Sequence, residues 1–234
     1  MGRLFAVPDI HGRLDLLEKL LELLFTQEKL DLTIDKLIFL GDMIDRGPDS
    51  YGVIECIKNL QEAHPMNVIA LLGNHEGMCV LYYGRGKLAH DAHLWFSNGG
   101  YQTEDSYKRV GHSNMTQEHL IWLAYLPLKH EEPGYWFSHA PVPRESYRLV
   151  VNRDQPFTPE ELTWTYNSDE QGVARDHGNG IIGISGHIHQ LRKGIMTPRF
   201  YPHHYYLDCG AGCSMKAPLV AVELDTKKVV YAWP

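Results

Sequence analysis

The chain has 234 residues, 44% hydrophobic and 22% charged, a balance that excludes disordered, collagen-like and disulfide-scaffold classes and fits one globular domain over residues 1–234. Its 22 basic against 29 acidic residues give a formal charge of -7, the wrong sign for gripping a nucleic-acid backbone by counterion release. Cys56, Cys79, Cys209 and Cys213 are too few and too scattered for a disulfide framework, and the C-x3-C pair Cys209/Cys213 would need two further ligands to hold zinc.

Residues 4–8 form a short apolar run that reads as a buried strand and stops at Asp9-Ile10-His11-Gly12. From residue 14 to 25 leucines recur with helical period, with Asp15, Glu18, Lys19 and Glu22 between them, so this stretch is an amphipathic helix and no membrane span. The N-terminus lacks the apolar length of a signal-peptide core, and Ala6 stands where a myristoylation motif wants Ser or Thr; a cytoplasmic protein without a membrane partner is expected. A second strand over 36–40 ends at Gly41-Asp42-Met43-Ile44-Asp45-Arg46-Gly47, and Pro48-Asp49-Ser50 starts a helix over 51–60. A third strand over 68–72 ends at Gly73-Asn74-His75-Glu76, and a mostly helical stretch follows from about 77 to 125.

Residues 135–138 then lead into His139-Ala140-Pro141, and 181–185 into Gly186-His187-Ile188-His189, with irregular loops expected between 141 and 180. Residues 205–210 and the alternating runs 219–224 and 229–233 close the chain as strands, the last two as a hairpin around Asp225-Thr226-Lys227-Lys228. Strand, polar loop, helix, strand is the pattern of a parallel α/β sheet whose functional residues collect at the carboxyl ends of its strands.

The strand-end loops supply Asp9, His11, Asp42, Asn74, His139, His187 and His189, a mixture of carboxylate, amide and imidazole suited to divalent manganese, iron, zinc or cobalt. Seven ligands exceed what one ion with open positions requires and fit two ions sharing a bridging carboxylate. In extended backbone residues i and i+2 point the same way, so Asp9 with His11, and His187 with His189, are expected to converge in pairs. Two ions close together hold hydroxide near neutral pH, a nucleophile for phosphorus.

The blocks Asp9-Ile10-His11-Gly12, Gly41-Asp42-Met43-Ile44-Asp45-Arg46-Gly47 and Gly73-Asn74-His75-Glu76 resemble the signatures of calcineurin-like metallophosphoesterases, in their phosphoprotein phosphatase branch. Ser138-His139-Ala140, Gly186-His187 and Asp208-Cys209-Gly210-Ala211 are similar to the family's later motifs, and Trp95-Phe96-Ser97-Asn98-Gly99-Gly100 with Thr103 resembles a segment of its bacterial members. The resemblance implies an α/β fold, a four-layer sandwich of two central mixed β-sheets flanked by α-helices. It implies two divalent ions, manganese first: Asp9 and His11 on one, Asn74, His139 and His187 on the other, and Asp42 between them. Arg46 and Asn74 would bind the phosphate, and His75 would protonate the leaving group with Asp45 holding its tautomer. Hydrolysis would be direct, by in-line attack of metal-bound hydroxide.

Three departures from the branch pattern stand out. Pro8 precedes Asp9 where Gly is usual. His189 replaces a threonine, as in the wider superfamily, and is carried as a further ligand of the first ion. The position after Trp164 that would hold a second phosphate-binding arginine has none, leaving Arg175, and also Arg153, as candidates. The leading reading is a phosphatase for phosphoserine and phosphothreonine in proteins, with phosphotyrosine as a further substrate. The alternative is a symmetrical dinucleoside tetraphosphate hydrolase, which an extra basic or aromatic clamp for two nucleosides would favour and for which Trp164, Tyr166, Tyr201 and Tyr205 are available. A nuclease is disfavoured by charge, and a non-catalytic phosphate-binding scaffold by the retention of His75 and Asp45. No heptad or long apolar stripe indicates an oligomeric state.

Overall fold

The structure, a computed structural model, describes residues 2–142, 158–165 and 176–234. The first strand, β1 (Leu4–Val7), is buried on both faces, as a strand at the centre of a covered sheet must be. It pairs in parallel with β2 (Lys36–Phe39), which pairs in parallel with β3 (Val68–Ala70). The C-terminal hairpin, β9 (Leu219–Glu223) and β10 (Lys228–Ala232), adds antiparallel strands on the other side of β1. A second sheet has the order β4 (Lys129–Glu132), β5 (Tyr135–Ser138), β6 (Ile182–Ser185), β8 (His204–Tyr206) and β7 (Arg199–Phe200), with β5, β6 and β8 parallel and its two edges antiparallel.

Side-chain alternation divides the core in two. Leu4, Ala6, Ile38 and Leu40 leave one face of the first sheet to pack on Phe137, Ile184, Tyr205 and Leu207 of the second. Phe5, Val7, Leu37 and Phe39 leave the other face to meet the helices. Helix α1 (Leu14–Thr26) buries Leu16, Leu17, Leu20, Leu21 and Leu24 on that face. Each such burial contributes about 1.5–3 kcal/mol, so the stripe rather than helix propensity fixes the packing. Helix α2 (Ser50–Ala63) starts where the Asp49 side chain accepts from Gly52 N at 2.9 Å. Tyr135 Oη donates to Asp225 at 2.8 Å and the Lys36–Glu132 ion pair joins β2 to β4, so polar contacts bind the two sheets at their margins.

The helical stretch after β3 resolves into α3 (Asn74–Gly84), α4 (Ala89–Trp95), α5 (Tyr101–Arg109) and α6 (Gln117–Ala124), with a broken turn over Phe96–Gly100 between α4 and α5. A short helix, α7 (Pro159–Thr163), lies within the stretch expected to be irregular, capped reciprocally by Thr158 and Glu161. The architecture is the expected one of two mixed sheets flanked by helices. Among the described residues no helix is long and apolar enough to cross a membrane.

Candidate metal centre and phosphate site

Six parallel strands end on one side of the molecule, and the loops that follow them meet over the seam between the sheets. Asp42, after β2, lies in the middle. Its Oδ2 is 3.6 Å from His11 Nε2, 3.8 Å from His75 Nε2 and 3.4 Å from His139 Nε2. His139 Nε2 is also 3.0 Å from Asn74 Oδ1 and 3.2 Å from His187 Nδ1. Asp9 joins from β1, with Oδ2 3.9 Å from His11 Nε2 and Oδ1 accepting from His187 N at 2.9 Å. Two sets of donor atoms fall within 4.8 Å of one another, His11/Asp42/His75 and Asp42/His139/His187.

The local backbone explains the convergence, and it is not strand alternation. His11, Asp42, Asp45, Arg46 and His187 all have positive φ, between 47° and 71°. Left-handed geometry strains a non-glycine residue by about 1–3 kcal/mol and persists where surrounding contacts over-determine it. Here the contacts are visible. Ile10 N and His11 N both donate to Asp42 O, at 3.0 and 2.9 Å, tying the first loop to the second. Glu76, fully buried, accepts from Asp42 N, Met43 N, Ile44 N and Gly73 N at 2.8–3.2 Å. Gly73 is required beside it, because a Cβ there would stand 2.2 Å from Asp42 Oδ1. Asn74 and His75, expected in a loop, are therefore the first turn of α3, and His75 N donates to Asp42 Oδ1 at 3.0 Å.

The imidazoles are oriented from behind. His11 Nδ1 donates to Ile44 O and His139 Nδ1 to Leu40 O, both at 2.9 Å, so each presents Nε2 toward Asp42. Such outer hydrogen bonds fix tautomer and ring direction for metal binding. Burial disfavours charge throughout the centre, yet the three imidazoles hold the Asp42 carboxyl well below its ordinary range. Against the same burial, Asp42 pushes His139 up to about 10. Burial and then His139 push His187 down to about 3, and burial with Arg46 lowers His11. Burial and then Asp208 raise Asp9. Imidazoles facing buried carboxylates are a donor set that fits divalent cations, whose charge would replace the proton of His139.

Arg46 and the His75–Asp45 pair lie beside the donors. Arg46 Nη1 is 2.6 Å from His11 Nε2 and donates to Cys213 Sγ at 2.8 Å, while Nη2 is 2.9 Å from His75 Nε2. His75 Nδ1 donates to Asp45 Oδ2 at 2.7 Å. A cavity of about 480 Å³ opens next to Arg46, between Arg13, Asp15, Arg109 and Met215.

Other expected residues are placed differently. Asp9 and His189 both lie outside the two close donor sets, and His189 Nδ1 accepts from Leu191 N at 3.4 Å. Tyr205 is buried against Phe200, which removes it as a nucleoside clamp, whereas Trp164 is 40% exposed. Arg153, Tyr166 and Arg175 lie outside the described residues. Glu76, Asp208 and Cys213 were assigned no role by the sequence pattern. Of these, Asp208 had a readable signal, since it follows β8 as the other donors follow their strands, and it is 2% exposed.

Carboxylate and imidazole donors that could hold metal ions, a half-buried arginine and a His–Asp pair stand together at the ends of two facing mixed sheets. The sequence profile of the calcineurin-like phosphoesterases matches residues 2–191, and the chain belongs to that family. It is 29% identical to serine/threonine-protein phosphatase 2 of Escherichia coli over 214 residues, 89% of this chain and 87% of that protein. It is also 29% identical to a symmetrical bis(5'-nucleosyl)-tetraphosphatase of Methylococcus capsulatus over 141 residues, 60% of this chain; the match spans 43% of that relative's length. In fold it resembles a protein serine/threonine phosphatase from Saccharomyces cerevisiae, with a TM-score of 0.60, 17% identity, and coverage of 100% of this chain and 80% of that one.

Proposed function

We propose that this protein is a phosphomonoesterase with two divalent ions, manganese foremost, that removes phosphate from phosphoserine and phosphothreonine in proteins. The observation that carries the reading is the position of Asp42, within 3.4–3.8 Å of three imidazoles from two sheets and next to Arg46 and His75. Asp9, His11 and Asp42 would hold one ion, with His189 as a further ligand; Asp42, Asn74, His139 and His187 would hold the other. When bound, the ions polarise the phosphoryl group and activate a water near neutral pH.

The remaining steps belong to the chain's own residues. Arg46 can turn its guanidinium from the two imidazoles to phosphoryl oxygens, with the bidentate fork that suits them. His75 faces the centre through Nε2 and is anchored through Nδ1, so a proton leaves it only from the inward nitrogen. That proton goes to the departing serine or threonine oxygen, a poor leaving group otherwise. Asn74 and Arg175 are the further candidates for substrate contact.

The likeness to the Escherichia coli protein phosphatase along most of both chains supports a phosphoprotein as substrate over a dinucleotide. The test is a panel on manganese-loaded protein: a phosphoserine peptide, a phosphotyrosine peptide, p-nitrophenyl phosphate and diadenosine tetraphosphate. Turnover led by phosphopeptides is the expected result. Far higher efficiency on the dinucleotide would move the function to nucleotide hydrolysis.

A further inference from the structure

The segment Ala89–Arg109 is not used by the chemistry described so far, yet its residues end on the Asp45 carboxylate. Trp95, fully buried at the end of α4, directs its indole Nε1–H at both oxygens, 3.1 Å from Oδ1 and 3.0 Å from Oδ2. Thr103 on α5, also fully buried, donates to Oδ1 at 2.7 Å. With His75 Nδ1 on Oδ2 at 2.7 Å, the carboxylate has three donors around it.

The proton directions are determined by counting. The single hydroxyl proton of Thr103 goes to Asp45 Oδ1, so at the 2.9 Å contact between Ser50 Oγ and Thr103 Oγ1 it is Ser50 that donates. Asp45 N donates to both hydroxyl oxygens at 3.0 Å, which holds the residue at its φ of 71°. The broken turn between α4 and α5 completes the support, since Arg46 N donates to Gly99 O at 3.3 Å. Gly99 has φ 109°, and a Cβ on it would stand 2.7 Å from Arg46 N, so only glycine allows this approach. Tyr82, Tyr83 and Phe96 pack around the indole with ring centroids 5.0–5.8 Å away, fixing it in the plane that reaches both oxygens.

We propose that Trp95 and Thr103 are positioning residues for proton delivery: they fix the Asp45 carboxylate so that it holds the Nδ1–H of His75, and the second proton of the imidazolium, on Nε2, is the one aimed at the leaving group. The inference rests on the reading of His75 as the acid. Without the two donors the carboxylate can turn about its Cβ–Cγ bond, and the imidazole loses the acceptor that selects its tautomer.

The test compares Trp95→Phe, Thr103→Val and Thr103→Ser with the wild type, each loaded with manganese. On a phosphoserine peptide, kcat in the first two should fall roughly tenfold, part of the 10²–10⁴ that a general acid supplies. KM should stay within about twofold, the pattern of an interaction made only in the transition state. On p-nitrophenyl phosphate, whose leaving group needs no proton, the loss should be less than about threefold. Thr103→Ser keeps the hydroxyl and should restore the peptide rate.

A second readout needs no turnover. In zinc-loaded protein, ¹⁵N spectra of His75 should show Nδ1 protonated in both the charged and the neutral imidazole, with a neutral Nε2–H form appearing in Thr103→Val. Equal losses on both substrates with an unchanged tautomer would overturn the proposal. A wild type inactive on every phosphate ester would sink the phosphatase reading, and the tautomer measurement would still decide the positioning role.

Discussion

The loops after β1, β2 and β3 hold their residues through a dense lattice. Glu76 collects four backbone N–H groups, and the Asp9–Gly12 turn is stitched to the Asp42 turn. Among the described residues, the loops after β5 and β6 bring imidazoles that reach the first sheet through His139 Nδ1 on Leu40 O and His187 N on Asp9 Oδ1, and are tied to each other by Gly186 N on His139 O. The first sheet therefore supplies Asp9, Asp42, Arg46 and the His75–Asp45 pair, while the second brings imidazoles that hydrogen-bond to it. A site with concentrated charge needs a rigid half that tolerates strained backbone, and the other half can then be positioned against it.

The largest expected effect falls on the shared carboxylate. Asp42→Asn should abolish binding of both ions, read by metal analysis, and lower phosphatase activity on the order of 10³-fold or more. His187→Gln should remove one ion and leave the other. If Asp42→Asn lost only one ion, the halves would be independent and the comparison would break. His75→Asn should cost roughly 10²–10⁴ on a phosphoserine peptide and far less on p-nitrophenyl phosphate. Equal losses on the two substrates would remove His75 from the acid role.

Next comes the lattice itself. Glu76→Gln would turn an amide –NH₂ toward donors that need an acceptor, and should destabilise the protein by about 1–3 kcal/mol in urea unfolding. A variant as stable as wild type would show that the four N–H contacts do not hold the loops.

The second sheet offers a test confined to acid pH, where His204 is buried with Nε2 2.8 Å from Ser185 Oγ. Burial and then His177 lower it from 6.5 to about 3. The unfolded chain thus takes up a proton near pH 6.5 that the folded protein refuses until about pH 3. The stabilisation is complete above pH 6.5 and declines as pH falls, by about 1.4 kcal/mol per pH unit. His204→Gln should remove that component of the acid slope, and an identical slope in wild type and variant would contradict it.

Much of this organisation was legible in the residues because buried strands and amphipathic helices leave strong periods. The strands expected at 4–8, 36–40, 68–72, 135–138 and 181–185, the helix at 14–25 and the final hairpin all appear within two residues of their expected limits. Among the described residues, the strands missed are β4 and β7, both at sheet edges, and the strand expected over 205–210 is shorter, with β8 ending at Tyr206. β4 reads Lys-His-Glu-Glu, charged as exposed edges often are, and β7 has two residues, so neither leaves an apolar signature. The ligand-type residues at the strand ends pointed to loops that do meet, with Asp42, His139 and His187 in one close group. The geometry of the centre was not legible, because left-handed turns at His11, Asp42 and His187 are imposed by contacts distant in sequence. The role of Trp95 was hidden for the same reason, lying 50 residues from the carboxylate it meets.

The most direct test of the shared centre is a crystal structure of the manganese-loaded protein with anomalous scattering measured at the manganese edge. Two peaks flanking the Asp42 carboxylate are expected, one toward Asp9 and His11 and the other toward Asn74, His139 and His187. A single peak, or two that share no Asp42 oxygen, would contradict the account.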